Sequence, residues 1–228
     1  MTIKLVSFDL DGTLVDTAGE IAVAVNRTLA DFERGPHPQA AIEQLIGAGA
    51  HELMRRLLRQ IDVGGALDAT QVLARFDQHY ADTAGTFGQA YPGCCEALQS
   101  LRDDGVQLAC VTNKEMRHAG HVLAVNQLTD YFELVIGGDS LPCKKPDASV
   151  LRHVLATFDS TPGQAAHVGD SETDIAAARN AGVAAWAVPW GYNSGRPVAA
   201  AAPDRLFQSM AEIAQLVRML RATPAWSS

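Results

Sequence analysis

Short apolar runs and amphipathic segments alternate regularly along the second half of this sequence. Four runs rich in Val, Ile, Leu and Ala each follow a segment whose apolar residues recur at helical spacing. The runs are VQLACVT, FELVIGG, AAHVGD and VAAWAV, at residues 106–112, 132–138, 165–170 and 183–188. Single helices between strands predict βαβ crossovers, and therefore a mostly parallel sheet covered on both faces.

The first 90 residues follow a different pattern. Residues 2–9 predict a first strand of the same sheet, whereas residues 17–84 have helical apolar spacing and no convincing strand. The helical segments there read AGEIAVAVNRTLADF, AIEQLIGAGAHELMRRLLRQ and DATQVLARFDQHYADT. We therefore expect an α/β core that carries a small helical domain inserted after strand one. The Ala-rich PVAAAAPD at residues 197–204 predicts a surface loop or turn.

The composition is typical of a well-packed globular protein. The chain has 228 residues, 47% of them apolar, and its mean hydropathy is +0.00. No apolar stretch approaches the ~20 residues of a membrane span, and no signal-peptide pattern opens the chain. We expect a cytoplasmic monomer or homodimer with no membrane partner and with free cysteine thiols. The net charge of −8 argues against a nucleic-acid partner, because binding a phosphate backbone requires a basic face.

Chemically active residues follow the predicted strands. In open parallel sheets, ligands bind at the carboxyl ends of the strands, near the point where the strand order reverses. The residues at these ends are Asp9, Asp11, Gly12, Thr112, Asn113, Lys114, Lys144, Lys145, Asp170 and Asp174. Carboxylates, hydroxyls and lysines would therefore converge on one crevice.

Phosphoryl transfer through a divalent metal fits this set. Asp9 and Asp170 offer the hard oxygen ligands that Mg²⁺ prefers, and an Asp9 oxygen can attack phosphorus to form an aspartyl-phosphate. Asp11 is placed to protonate the leaving oxygen and then to deprotonate the attacking water. The positive charge of Lys145 can neutralise the nucleophile and the phosphate together.

Three further residues have predicted roles in holding the phosphate. Gly12 permits a sharp turn after the strand and a close approach of backbone N–H groups. The hydroxyl of Thr112 and the amide of Asn113 can donate hydrogen bonds to phosphate oxygens. Asn113 is the weaker candidate, since it is equally suited to capping the next helix.

The segments FDLDGTLVDT, VTNK, KKPD and VGDSETDI resemble, in order, the four motifs of the haloacid-dehalogenase-like (HAD) superfamily of phosphatases. IGAGAHELMRRLL, YPG, GGDSLPCKKP and GYNSGRPV further resemble the phosphoglycolate phosphatase branch. The resemblance implies a Rossmann-like catalytic core at residues 1–16 and 88–228, with a helical cap at residues 17–87. It also implies Mg²⁺ as cofactor and the hydrolysis of 2-phosphoglycolate to glycolate and phosphate.

The resemblance assigns roles to the matching positions. Asp9 corresponds to the nucleophile and a metal ligand, and Asp11 to the acid–base residue that also binds metal through its backbone carbonyl. Asp170 corresponds to the metal-binding acid, and Asp174 to the residue that supports it. Thr112 and Lys145 take the phosphate-binding hydroxyl and the lysine of the family. Two positions depart from the usual pattern: Ala148 and Glu115 stand where relatives often have proline.

Several residues have simpler alternative interpretations. Asp16 is better explained as a cap of the first inserted helix than as a metal ligand. Asp174 also suits the first turn of a helix, where a negative charge is stabilised by the helix dipole. We expect Lys144 to be solvated and His118 and His121 to lie on a surface helix face. Arg55 and Arg56 lie on an inserted helix within reach of a substrate carboxylate, but surface arginines are common.

Other functions of the same fold remain open at this point. A phosphatase for another small phosphate, such as an amino-sugar phosphate, would use the same residues. So would a sugar-phosphate mutase. A protein of a different class, a non-catalytic regulator, usually lacks the nucleophile or the metal-binding acids, and this chain has both.

Overall fold

The computed structural model describes residues 2–62 and 65–222, and a parallel sheet forms its centre. The strands of these residues are β1 (Leu5–Phe8), β2 (Val15–Asp16), β3 (Gln89–Ala90), β4 (Gln107–Val111), β5 (Leu134–Ile136), β6 (Ala165–Gly169), β7 (Ala184–Ala187) and β8 (Arg205–Leu206). Six of them form one sheet in the order β5-β4-β1-β6-β7-β8, and every neighbouring pair is parallel. The predicted α/β class with a Rossmann-like parallel sheet is confirmed.

Helices connect the strands and cover both faces of the sheet. Within the described ranges they are α1 (Ala18–Asp31), α2 (Gln39–Glu43), α3 (Ala50–Ile61), α4 (Ala69–Thr83), α5 (Cys94–Asp103), α6 (Met116–Val125), α7 (Ala148–Thr157), α8 (Glu172–Ala181) and α9 (Met210–Ala222). None of these helices is both long and apolar enough to cross a bilayer.

Alternation along β1 explains the two covered faces. Side chains of successive strand residues point to opposite faces of a sheet, so both faces must be apolar when both are buried. Val6 and Phe8 pack in the apolar layer of α5 and α9, whereas Leu5 belongs to the layer of α7 and α8. The chain passes from β1 to β4 and β5, then returns to β6 on the other side of β1. The strand order therefore reverses at β1, which places the ligand crevice at its carboxyl end.

Two segments differ from the sequence prediction. The helical pattern of residues 41–60 is divided between α2 and α3, because Gly47 and Gly49 adopt φ values of 121° and 92° that a right-handed helix cannot contain. The expected surface loop at residues 197–204 contains a short 3₁₀ helix at Val198–Ala201, and it buries the side chain of Val198.

The chain segment that contains α1–α4 leaves the core and returns to it at one place. β2 pairs with β3 in antiparallel orientation, with Val15 opposite Ala90 and Asp16 opposite Gln89. The two connections between the sheet and the segment of α1–α4 therefore lie side by side. The predicted domain boundaries at residues 16 and 88 lie close to this ribbon, and the division into core and cap stays a prediction.

The carboxylate of Glu20 binds the chain where it returns from α4 to the sheet. Glu20 is fully buried in α1, and its Oε2 accepts hydrogen bonds from the backbone N–H groups of Gly85 (2.9 Å) and Gly88 (3.2 Å). Burial raises the pKa of Glu20, and the nearby charge of Lys114 opposes that rise. The first inserted helix thus supplies the acceptor for the segment that returns to the core.

The substitution Glu20→Ala is expected to lower the free energy of unfolding by about 2–4 kcal/mol, because two buried amides lose their acceptor. Glu20→Gln keeps an acceptor oxygen in the same place and serves as the matched control, with a loss of about 1 kcal/mol. Urea unfolding followed by circular dichroism measures both values. Equal stability of the two variants would contradict this role of Glu20.

Candidate active site

The turn after β1 brings the first aspartates beside Asp170. Asp9 follows the last residue of β1, and Gly12 adopts a φ of 83° in the tight turn that precedes β2. A Cβ atom on Gly12 would lie 2.5 Å from Oδ2 of Asp170. Glycine is therefore required here both for the left-handed backbone and for the close approach of the loop after β6.

Lys145 pairs with two carboxylates in the interior of the site. Its Nζ lies 2.9 Å from Oδ1 of Asp9 and 2.6 Å from Oδ1 of Asp174, and its side chain is 1% exposed. Burial raises the pKa of Asp9 to about 6, and the positive charge of Lys145 limits the rise. Burial alone would lower the pKa of Lys145, but the charges of Asp174 and Asp9 raise it, so the lysine stays charged.

The carboxylate of Asp174 contacts both the N-terminus of α8 and the ammonium of Lys145. Its Oδ2 accepts hydrogen bonds from the backbone N–H (3.1 Å) and the hydroxyl (2.6 Å) of Ser171, which forms the capping box of α8. Its Oδ1 faces Lys145, with Nε2 of His167 3.3 Å away. Although burial opposes the shift, Lys145 and His167 hold the pKa of Asp174 well below its usual range. Asp174 thus lies in the first turn of α8, as one of the two interpretations expects, and its role in supporting a metal-binding acid stays a prediction.

Asp170 is held from two sides at the carboxyl end of β6. Its Oδ1 accepts a hydrogen bond from the hydroxyl of Thr13 at 2.9 Å, and its Oδ2 accepts one from the backbone N–H of Tyr192. Burial and the charges of Asp174 and Asp9 raise the pKa of Asp170 well above its usual range. Three buried carboxylates with one ammonium leave this cluster with excess negative charge.

The cluster fits a hard divalent cation. Asp9, Asp170 and Asp174 each offer a carboxylate oxygen, and these oxygens lie within 4.8 Å of one another. All are hard oxygen donors, which suit Mg²⁺. Both oxygens of Asp174 accept hydrogen bonds, as do both oxygens of Asp170, and Oδ1 of Asp174 faces the ammonium of Lys145.

Asp11 has a lysine partner that the sequence analysis left without a role. Its Oδ1 accepts hydrogen bonds from the hydroxyl of Thr17 (2.7 Å) and from Nζ of Lys114 (2.9 Å). Lys114 is buried after β4 and also donates to the hydroxyl of Tyr80, on α4. A lysine two residues beyond the end of a predicted strand is a usable signal. Its partners cannot be read from the sequence because they lie 103 and 34 positions away.

Thr112 and Asn113 follow β4 at the carboxyl end of the sheet. The Oγ of Thr112 accepts the backbone N–H of Lys114 at 3.2 Å. The Nδ2 of Asn113 donates to the carbonyls of Gly47 (3.1 Å) and Lys145 (3.0 Å). Asn113 is therefore not the cap of α6, whose N-cap position is Glu115.

The remaining candidates lie outside the centre of the site. Lys144 is exposed and donates to the carbonyl of Ala48 at 2.6 Å. Asp16 accepts the backbone N–H of Ala18, the first residue of α1, at 3.3 Å, although Thr17 occupies the N-cap position. The expectation for Asp16 as a helix-capping side chain thus agrees with its contact.

The prediction that both histidines of α6 lie on a surface face is wrong for His118. Its ring packs on Tyr80 with the ring centroids 4.5 Å apart and is buried, whereas His121 is exposed. Burial lowers the pKa of His118 to about 4, so the ring is neutral. The inserted helix α4 covers this part of α6, which periodicity along α6 alone cannot show.

A cavity of about 20 Å³ lies between the strand ends and the inserted helices. The core contributes polar groups, namely Asp9, Asp11, Thr112, Asn113 and Lys114. The inserted segment contributes Ile21, Ile46, Gly47, Gly49, Ala50, Leu53 and Tyr80. Arg55 and Arg56 do not line this cavity; Arg56 borders a separate cleft beside it.

The fold is that of a known hydrolase family. The family model for haloacid dehalogenase-like hydrolases matches residues 6–188, and the chain belongs to this family. Within it, the chain is a phosphoric monoester hydrolase, similar to curated phosphoglycolate phosphatases. The plasmid-encoded phosphoglycolate phosphatase of Cupriavidus necator is 41% identical over 220 residues, which cover 96% of this chain and 95% of that protein.

Two further relatives support the same assignment. The phosphoglycolate phosphatase of Nitrosospira multiformis is 39% identical over 96% of this chain and 97% of its own length. The crystal structure of a predicted phosphoglycolate phosphatase from Haemophilus somnus 129PT superposes with a TM-score of 0.91 at 31% identity. That alignment covers 95% of this chain and 98% of the other. The predicted HAD membership is therefore confirmed.

The acidic cluster makes cation binding dependent on pH. Because the folded-state pKa of Asp9 is about 6, above its ordinary 3.8, the stability linked to its protonation is complete below pH 3.8 and is lost as the pH rises through 6. Cation binding needs ionised carboxylates, so millimolar Mg²⁺ is expected to raise the thermal midpoint by several degrees near pH 7.5 and by much less near pH 5. Differential scanning calorimetry measures both midpoints.

The control for this experiment is Asp170→Asn, which removes one carboxylate of the acidic cluster. It is expected to abolish the effect of Mg²⁺ at both pH values. An equal rise at both pH values in the unmodified protein would contradict binding at the acidic cluster.

Proposed function

We propose that this chain is an Mg²⁺-dependent phosphatase that hydrolyses 2-phosphoglycolate to glycolate and phosphate through an aspartyl-phosphate on Asp9. The observation that carries the proposal is the convergence of Asp9, Asp170 and Lys145 at the reversal point of the sheet. A nucleophilic carboxylate, a cation site and a fixed ammonium are the three groups that phosphoryl transfer requires.

The proposed reaction has two steps. An Asp9 oxygen bonds to phosphorus, and the bond from phosphorus to the glycolate oxygen breaks as Asp11 donates a proton to that oxygen. Asp11 then accepts a proton from a water molecule, whose oxygen attacks phosphorus and returns Asp9 as a free carboxylate. Asp9, Asp170 and the backbone carbonyl of Asp11 would hold Mg²⁺, which would supply positive charge to the phosphate oxygens when bound.

The other site residues hold this arrangement. Lys145 neutralises the charge that Asp9 and the phosphate share, and Asp174 fixes the ammonium in place. We assign phosphate-binding roles to the hydroxyl of Thr112 and the backbone at Gly12. Asn113 binds Gly47 and the carbonyl of Lys145, so we assign it the role of joining the inserted helices to the phosphate site.

The size of the cavity supports a small substrate and a moving cap. About 20 Å³ holds little more than one water molecule, so a phosphomonoester enters only when α1–α4 move away. We therefore propose residues 17–87 as a cap that closes over the substrate. The similarity to phosphoglycolate phosphatases over nearly the whole chain favours 2-phosphoglycolate over a sugar phosphate.

The test is phosphate release from a panel of small phosphomonoesters, with Mg²⁺ and with EDTA. We expect 2-phosphoglycolate to be hydrolysed with the highest kcat/KM, and EDTA to abolish turnover. A preference for an amino-sugar phosphate would overturn the substrate, and activation by a sugar bisphosphate would indicate a mutase. No phosphate release from any ester would support the non-catalytic alternative.

The nucleophile is tested by Asp9→Asn, which is expected to lower kcat at least about 10³-fold because an amide cannot form the phosphoenzyme. Acid quenching during turnover is expected to trap phosphate on the unmodified chain and none on the variant. Asp82→Asn, the same exchange at an exposed position of α4, is the control and keeps full activity. Normal turnover by Asp9→Asn would exclude Asp9 as the nucleophile.

A further inference from the structure

The cavity contains a positive charge that the proposed reaction does not use. Among the described residues that line it, Lys114 is the only cationic one. Its side chain is 1% exposed, and its Nζ lies 2.9 Å from Oδ1 of Asp11. Burial alone would lower the pKa of Lys114, but Asp11 and Tyr80 raise it, so the buried ammonium is charged.

We infer that Lys114 binds the carboxylate of the substrate and thereby selects phosphate esters that carry a second anionic group close to the ester oxygen. This inference rests on the proposed function, in which Asp11 contacts the ester oxygen. It adds a specificity-determining contact to that reaction and names the group on the substrate that the contact recognises.

The short distance between the ester oxygen and the carboxylate of 2-phosphoglycolate supports the position of Lys114 as the carboxylate's partner. Its ester oxygen and its carboxylate carbon are joined through one methylene, by two bonds of about 1.5 Å each. A residue that contacts the carboxylate must therefore lie beside the residue that contacts the ester oxygen. Lys114 is in hydrogen-bond contact with Asp11, which meets this requirement.

The ammonium has a donor for this contact. A lysine ammonium carries three N–H donors, and the structure shows two acceptors for them, Oδ1 of Asp11 and the hydroxyl of Tyr80. The third N–H is therefore available to a substrate group in the cavity that Lys114 lines. A carboxylate accepts from an ammonium more strongly than an uncharged hydroxyl does.

The other cations near the site have different partners. Lys145 is enclosed by Asp9 and Asp174, and Lys144 is exposed with its ammonium on the carbonyl of Ala48. Arg56 is partly exposed on the separate cleft, where it pairs with Glu52. Arg56 is the alternative partner for the substrate carboxylate, because it borders a cleft that Ser171 and Glu172 also line. The experiment therefore includes a variant of Arg56.

The experiment compares 2-phosphoglycolate with 2-hydroxyethyl phosphate, which has the same length but ends in an uncharged hydroxyl. Lys114→Met is expected to lower kcat/KM for 2-phosphoglycolate about 30- to 100-fold, and for 2-hydroxyethyl phosphate less than about 5-fold. Lys114→Arg keeps the charge and is expected to retain most of the preference for the carboxylate. Lys4→Met, at an exposed lysine before β1, is the matched control and leaves both rates unchanged.

Each outcome separates the possibilities. An equal loss on both substrates would show that Lys114 acts only through Asp11, and would overturn the inference. A selective loss in Arg56→Met, with none in Lys114→Met, would assign the carboxylate to Arg56 and also overturn it. The unmodified chain tests the proposed substrate independently: without a preference for 2-phosphoglycolate, the proposed function itself fails. Lys114→Gln, which is polar and uncharged, replaces Lys114→Met if the methionine variant does not fold.

Discussion

The ion pair of Lys145 with Asp9 and Asp174 is the interaction on which the site depends. Removing one partner from a buried ion pair leaves an uncompensated charge, at a cost of about 3–5 kcal/mol. Here one ammonium balances two carboxylates that come from β1 and α8, and Asp174 also caps α8. The loop after β5, which carries Lys145, therefore connects Asp9 to the start of α8. The ammonium of Lys145 thus holds together the carboxylates of Asp9 and Asp174, which would otherwise repel each other.

A second buried lysine, Lys114, connects a residue after β1 with the inserted helices in a similar way. Lys114 lies on the core after β4, but one of its acceptors, Tyr80, belongs to α4. Asn113 makes a parallel connection through the carbonyl of Gly47. The electrostatic environment of Asp11 therefore depends on the position of α1–α4. A movement of these helices would open the cavity and remove a partner of Lys114 in the same step, which couples access to the site with its charge balance.

The sequence predicts the parts of the fold that repeat along the chain. The alternation of helices with strands identifies β1 and β4–β7, and polar residues after those strands identify Asp9, Asp170 and Lys145 as neighbours. The two-residue strands β2, β3 and β8 are too short to produce a pattern. The contacts of Lys114 and the burial of His118 depend on α4, which is distant in sequence from both residues. Local periodicity contains no information about such pairings, so only the structure reveals them.

The two buried lysines differ in one respect that bears on specificity. Lys145 is surrounded by Asp9 and Asp174 and does not line the cavity. Lys114 lines the cavity and has one N–H beyond those that Asp11 and Tyr80 accept. In the proposed reaction, Lys145 therefore acts on every phosphate ester alike, because its carboxylate partners belong to the protein. The proposed contact of Lys114 adds a partner that only some substrates supply, and this difference would separate 2-phosphoglycolate from phosphate esters of the same size that lack a carboxylate.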